Sequence, residues 1–187
     1  MKISGCVALV TGGASGIGRG LCEVLLQRNA KVAIVDLNEE RGMEVERIFS
    51  ETYGTGCAKF IRCDVSIEKE LKEAFSRIIS FWGRLDIVCN NAAVLDEDDW
   101  NKTLNTNLAA MRDQGIRVNC ICPGRTDTEM DFPRHKLRKE EIEAQDSLPK
   151  QPISAVTKGI IELIEDDTKI GEVLVVCETD GTKYKLF

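Results

Sequence analysis

The sequence has one histidine, His135, four prolines and only 5% aromatic residues. A single histidine leaves little material for a histidine-rich metal centre. His135 itself lies among Arg134, Lys136, Arg138 and Lys139, the composition of a solvated face. Basic charge is also short: 25 Lys and Arg stand against 31 Asp and Glu, net −6. Nucleic acid and anionic membranes are therefore not expected partners, because phosphate surfaces select a basic face. No apolar run approaches the ~18 residues that a membrane span needs. After Met1-Lys2 the first apolar stretch is only Cys6 to Val10, which does not resemble a secretory leader and points to the cytosol. Cys-x-x-Cys spacing is absent although eight cysteines are present, at 6, 22, 57, 63, 89, 120, 122 and 177. Without an oxidising address they are not expected to form a disulfide framework. Several sit inside apolar runs, where a thiol behaves as a small hydrophobe. Cys120, Cys122 and His135 lack the usual spacing of zinc ligands, so no metal is expected.

What remains is an ordinary globular composition. The 187 residues, 43% apolar and 30% charged, suit one domain of the common size of about 150 residues. Strand-like and helix-like segments alternate along it. Strands are predicted at 7–11, 31–36, 59–64, 85–90, 116–122 and 172–177, and helices at 17–28, 39–53, 67–82 and 154–165. Trp100, Leu104, Leu108 and Met111 add one apolar helical stripe after the fourth strand. The strands are nearly continuously apolar, as in a parallel sheet covered on both faces. The expected fold is α/β, a doubly wound parallel sheet of Rossmann type. Residues 125–152 are polar and aperiodic, and are read as an irregular loop.

The first strand runs into Thr11-Gly12-Gly13-Ala14-Ser15-Gly16-Ile17-Gly18. Glycines at 12, 16 and 18 suit a tight turn, close backbone approach and close helix packing, each of which excludes a Cβ. The helix that follows offers free N–H groups and a positive dipole end to a pyrophosphate. Asp36 ends the second strand, 18 residues after Gly18. An acid there accepts from a ribose 2′-hydroxyl and repels a 2′-phosphate, which selects NAD over NADP. Asp64 ends the third strand in the same relative place. It is either an adenine contact or simply a strand terminus.

Thr11-Gly12-x-x-x-Gly16-x-Gly18, Asp64-Val65, Asn90-Asn91-Ala92-Ala93, Trp100 with Asn107-Leu108, and Pro123-Gly124-x-x-x-Thr128 together resemble the short-chain dehydrogenase/reductase family, in that family's order. Gly83-Arg84-Leu85-Asp86-Ile87, Ile121-Cys122-Pro123-Gly124 and Leu163-Ile164-Glu165-Asp166-Asp167 are most similar to its branch of NAD-dependent 15-hydroxyprostaglandin dehydrogenases. The resemblance implies NAD-dependent oxidation of a small secondary alcohol. It places the cofactor on Gly12, Ser15, Gly16, Ile17 and Gly18, with Asp36 and Leu37 at the ribose and Asp64 and Val65 at the adenine. Asn91 and Ala92 then lie beside the nicotinamide ribose, and Thr126 and Thr128 at the nicotinamide. Asn107 matches the family's active-site asparagine.

The family's proton-transfer group is a tyrosine with a lysine four residues later, supported by an upstream serine. Tyr53 is followed at that spacing by Cys57, and Tyr184 has only three residues after it, so no Tyr-x-x-x-Lys exists here. The match to the family breaks after Asn107 and resumes at Arg112-Asp113-Gln114-Gly115. The missing block is on the order of 60 residues, two β-α units of about 30 each, as exon skipping or deletion would leave. It carries the serine, the tyrosine, the lysine, one central strand and helices of the family's dimer interface. The shortened sheet is expected to close up, with strand 116–122 pairing directly with strand 85–90. Three readings follow: an NAD-dependent alcohol dehydrogenase, a dinucleotide-binding protein without turnover, and an unstable product. Lys102 and Lys158 have no tyrosine partner at helical spacing. His135 is the remaining candidate base.

Overall fold

A computed structural model describes residues 1–65, 67–92, 119–129, 139–147, 149–169, 173–177 and 181–185. Lys2–Ala93 forms one compact unit, and Val94–Phe187 with Met1 forms another. The helix expected from Trp100 to Met111, Asn107, residues 116–118 and His135 lie outside the described residues. No helix among the described residues is long and apolar enough to cross a membrane.

The first unit alternates β1 (Val7–Thr11), α1 (Gly16–Gln27), β2 (Lys31–Asp36), α2 (Glu39–Tyr53), β3 (Ala58–Arg62), α3 (Glu68–Trp82) and β4 (Ile87–Cys89). Its strands form a 4-stranded parallel sheet in the order β3-β2-β1-β4. β1 is buried at every position, which explains its unbroken apolar sequence: it lies between β2 and β4. Side chains on successive residues face opposite sides of the sheet. Val7, Leu9, Ala33 and Val35 pack with Ala74 and Ile78 of α3. On the other face, an added Cβ at Gly13 would lie 3.2 Å from both Cys22 of α1 and Ile34 of β2, and Gly42 of α2 lies directly on Phe60 of β3. The unit is thus a helix–sheet–helix sandwich, the doubly wound arrangement expected.

The helix ends follow local chemistry. Asn38 caps α2 by accepting from the Arg41 N–H, with Glu39 and Glu40 in the first turn where the dipole favours acids. Gly83 ends α3 at φ +75°, a conformation open to a residue without a Cβ. The outer edge of β3 is closed by Glu46, whose carboxylate accepts from the Phe60 N–H at 2.7 Å and from Lys59 Nζ at 3.0 Å. The bond from Phe60 occupies a backbone donor that an unpaired edge would otherwise present.

The second unit contains β5 (Cys120–Pro123), α4 (Lys139–Ser147), α5 (Ile153–Glu165), β6 (Val173–Cys177) and β7 (Gly181–Lys185). β5 pairs with β6 in parallel and β6 with β7 antiparallel, a 3-stranded sheet. α5 packs Leu163 against Leu174 and Val176, and Gly159 approaches Val176, Leu174 and Ile121 within 3.0–3.2 Å of where a Cβ would sit.

Within each unit β4 lies beside β1 and β5 beside β6. The antiparallel β7 lies beyond the strands marked from the sequence, because Gly-Thr-Lys-Tyr-Lys carries no apolar run. Asp180-Gly181 was its available signal, a dipeptide favoured in hairpins. Residues 125–152 are not wholly irregular, since they contain α4 and a parallel bridge between Thr126 and Gln151.

Candidate functional site

The glycine turn joins the carboxyl end of β1 to α1, the end of the sheet at which α/β folds bind ligands. Gly12 has φ +64° and Gly16 φ +50°. At Gly18 an added Cβ would lie 2.2 Å from the Gly12 carbonyl oxygen and 2.5 Å from Asn91 Nδ2. The first two glycines are required by backbone conformation and the third by contact. The turn is tied to β2 by a 3.2 Å bond from the Gly13 N–H to the Val35 carbonyl.

Ser15 is the N-cap of α1 in an extended conformation, but its hydroxyl makes no capping bond, and the first turn of α1 carries no acid. The leading N–H groups of α1 therefore have no side-chain acceptor at the cap. An anion fits that environment. Ile17 is half-buried beside it.

Asp36 faces this turn. Its Oδ2 accepts from the Ala14 N–H at 3.0 Å and its Oδ1 from the Asn38 N–H at 3.0 Å. One bond to each oxygen orients the carboxylate and leaves lone pairs for further donors, which suits a vicinal diol. Leu37, 55% exposed, stands next to it as an apolar surface. Asp64 lies two residues beyond β3, where its N–H donates to Glu70 at 2.8 Å and its carbonyl accepts from the Ile67 N–H at 3.0 Å. Val65 packs against the core under α3.

Thr11 holds the parts together. It is 3% exposed. Its hydroxyl oxygen accepts from the Asn91 and Ala92 N–H groups, both at 2.9 Å, and donates to the Cys89 carbonyl at 3.4 Å. The Asn91 amide donates back to the Thr11 carbonyl at 2.9 Å and to that of Gly12 at 3.4 Å. Asn91 thus braces the turn itself, and the segment after β4 is fastened to the glycine loop. Thr11 was legible as part of the motif but not as its keystone. A polar residue closing a buried apolar strand was the signal.

Two thiols lie beneath this region. Burial pushes the Cys22 thiol far above its usual range, and its Sγ lies 3.9 Å from the Gly13 carbonyl. Burial pushes Cys89 up to about 12. Neither supplies a thiolate near neutral pH.

In the second unit Thr126 follows the Pro123-Gly124 turn. Its hydroxyl donates to the Gly124 carbonyl at 2.9 Å and accepts from Gln151 Nε2 at 3.3 Å. Thr128 is half-buried two residues on. Gln151, missed from the sequence, is 2% exposed and also donates to the Val176 carbonyl at 3.0 Å. The structure brings Gly12, Ser15, Gly16, Ile17, Gly18, Asp36, Asn91 and Ala92 into one neighbourhood. Asn107, the family's active-site asparagine by position, lies outside the described residues.

Comparison with known proteins agrees with this geometry. The family model described as short chain dehydrogenase matches residues 6–113, more than half of the chain. A 15-hydroxyprostaglandin dehydrogenase [NAD(+)] of Mus musculus is 29% identical over 257 residues, spanning 99% of this chain and 94% of its own. The Homo sapiens protein of the same name is 29% identical over 258 residues, spanning 99% and 96%. Secoisolariciresinol dehydrogenase of Forsythia intermedia is 42% identical over 95 residues, 51% of this chain and 33% of its own. With the glycine turn, the braced Asn91 and the acid at the end of β2 in place, the chain belongs to the short-chain dehydrogenase family of oxidoreductases.

Proposed function

We propose that this chain is an NAD-binding member of the 15-hydroxyprostaglandin dehydrogenase branch, whose reaction is oxidation of a secondary alcohol to a ketone. We propose further that this chain lacks the family's proton acceptor. The observation that carries the cofactor reading is Asp36. It is held by the Ala14 and Asn38 N–H groups at the mouth of a glycine turn where a Cβ at Gly12 or Gly18 would strike Asn91. A half-buried acid in that place attracts a ribose diol and repels a 2′-phosphate. NAD, when bound, supplies the hydride acceptor. The chain's own residues bind and orient: α1 receives the pyrophosphate, Asp36 the ribose, and Leu37 with Asp64 and Val65 flanks the base. Thr126 and Thr128 are assigned to the nicotinamide end by the family resemblance.

The impairment rests on the sequence. A phenol titrates near 10 unless a neighbouring cation lowers it, and no Tyr-x-x-x-Lys is available. The absence of an internal block is supported by the span of the mouse match, whose 257 aligned residues exceed this chain's 187 by 70. It is supported also by β4, where Val88 is 44% exposed. Loss of that block removes helices of the family's dimer interface, so a family-type dimer is not expected.

The test is a fluorescence titration of the full chain with NADH and NADPH, beside a hydride-transfer assay with NAD and a secondary alcohol. NADH binding that is stronger than NADPH binding, with no turnover above background, is the expected result. Asp36→Ala abolishes the preference. Turnover at the rate of intact relatives refutes the missing-base reading. Indifference to both dinucleotides refutes the cofactor reading.

A further inference from the structure

A cavity of about 300 Å³ opens beside β3, the edge strand of the first unit, with α2 and the last turn of α3 on its walls. β3 meets it by its amino end: Ala58 and Lys59 line it, and Ala58 pairs with Val32 near the start of β2. The glycine turn lies at the other end of this parallel sheet, where Arg62 pairs with Asp36. The steps from Val32 to Asp36, at about 3.3 Å each, set the cavity roughly 13 Å from that acid along the strand. The dinucleotide cradle does not account for it.

The walls are held by bonds of their own. The Trp82 indole N–H donates to the Gly56 carbonyl at 3.3 Å, which fixes that ring. Phe81 lies beside it, with ring centroids 6.4 Å apart and planes tilted by 54°. Glu46, already bonded to the Phe60 N–H, holds Lys59 Nζ at 3.0 Å. The ammonium stands 5.7 Å from the centroid of the Phe81 ring, within reach of its attraction to a ring face. Phe81 is nevertheless 50% exposed. Lys59 gives one N–H to Glu46 and keeps further donors for a ligand. The hydroxyls of Ser50 and Thr55, also on the wall, have no partner among the described residues.

These groups select one chemistry. The charges of Glu46 and Lys59 cancel, so an ionic ligand would leave water without gaining a counter-ion. A neutral acceptor gains a Lys59 N–H, and a flat ring gains the aromatic walls. The volume is at the small end of ligand cavities and suits one ring with a short substituent. We infer that this cavity is a second ligand site, independent of the NAD reading, and that it takes an uncharged aromatic ring bearing a carbonyl group. Phe81 and Trp82 receive the ring, and Lys59 donates to the carbonyl oxygen. Ser50 and Thr55 accept from an N–H or O–H beside it.

The experiment titrates the full chain with acetanilide, a neutral ring with a carbonyl and an N–H. Trp100→Phe leaves Trp82 as the sole indole, so its fluorescence reports occupancy. Phenylacetate is the anionic counterpart, phenethylamine the cationic one and N-cyclohexylacetamide the saturated one. Acetanilide is expected to bind with Kd on the order of 1 mM, ordinary for so small a ligand, and about 5-fold more tightly than each of the other three. Saturating NAD does not displace it. Phe81→Ala alters a half-exposed ring, leaves NAD affinity unchanged and weakens acetanilide about 10-fold. Glu46→Gln keeps an acceptor for Phe60 but leaves Lys59 unbalanced, and raises phenylacetate relative to acetanilide about 5-fold. Lys59→Met bares Glu46 and favours phenethylamine to the same extent. Equal binding of acetanilide and N-cyclohexylacetamide, displacement by NAD, or an order of ligands unmoved by the two charge variants overturns the inference. Failure of acetanilide to bind overturns it as well and leaves the cradle reading standing, which the dinucleotide titration tests by itself.

Discussion

Replacing Thr11 by valine tests how the glycine turn is held. Valine has nearly the shape of threonine, so the substitution leaves no cavity at this buried site and removes only the hydroxyl. Two N–H donors, of Asn91 and Ala92, lose their acceptor at 2.9 Å, and the Cys89 carbonyl loses a donor at 3.4 Å. A buried donor left without a partner costs about 1–3 kcal/mol. Asn91 is half-buried and Ala92 exposed, so water replaces part of each bond and the lower end of that range applies. The expected loss is about 2 kcal/mol, or about 4–8 °C in Tm for a chain of this size. Urea unfolding followed by circular dichroism measures it. NADH affinity, followed by fluorescence, falls as well, because the segment after β4 no longer braces Gly12. Thr11→Ser retains the hydroxyl and recovers most of both losses. If Thr11→Val unfolds within about 0.5 kcal/mol of the unaltered chain, the scatter of ordinary surface changes, the hydroxyl is not the clasp described.

Gly18→Ala sets a methyl 2.2 Å from the Gly12 carbonyl oxygen and 2.5 Å from Asn91 Nδ2. Backbone must move, and NADH binding is expected to disappear in a fluorescence titration. Asp86 is held below the usual carboxylate range by hydrogen bonds from Arg84, with the Val7 N–H adding a 2.8 Å bond. Its stabilisation is complete above the ordinary value of about 3.8 and is lost as pH falls through the depressed folded value. Asp86→Asn should therefore lower the urea midpoint at pH 7 and converge with the unaltered chain in acid. A cost that grew as pH fell would contradict this. The Cys22 and Cys89 thiols, raised by burial, should resist iodoacetamide at pH 8 in the folded chain and react in urea, read by peptide mass spectrometry. Alkylation of Cys22 without unfolding would show that the α1–β2 packing opens.

Much of the first unit was legible residue by residue. Unbroken apolar runs marked β1 and β2 because both faces of the sheet are covered. The stretch from Glu39 to Tyr53 formed as expected because an asparagine cap and two acids sit at its start. Gly12 and Gly16 were readable because positive φ is a demand on one residue. Asp36 was readable by its distance from that turn. Thr11, Glu46 and Gln151 were not, since their partners lie far along the chain: Asn91 and Ala92 for Thr11, Phe60 for Glu46, Thr126 and Val176 for Gln151. A glutamine between Lys150 and Pro152 looks like surface until its bridge to Thr126 buries it.

The pairing of the later strands shows the same division. Cys120 to Pro123 was recognisable as a strand from its own residues, yet nothing in those residues showed that β6 runs parallel beside it. By itself the sequence determined the helix and strand types, the glycine turn, the acid that faces it and the want of a tyrosine–lysine pair. Each of these follows from local backbone preference or from the chemistry of single side chains. Tertiary structure alone decided which strands share hydrogen bonds and which buried polar groups become clasps. Those choices depend on the free energy of bringing distant segments together, which no single segment carries.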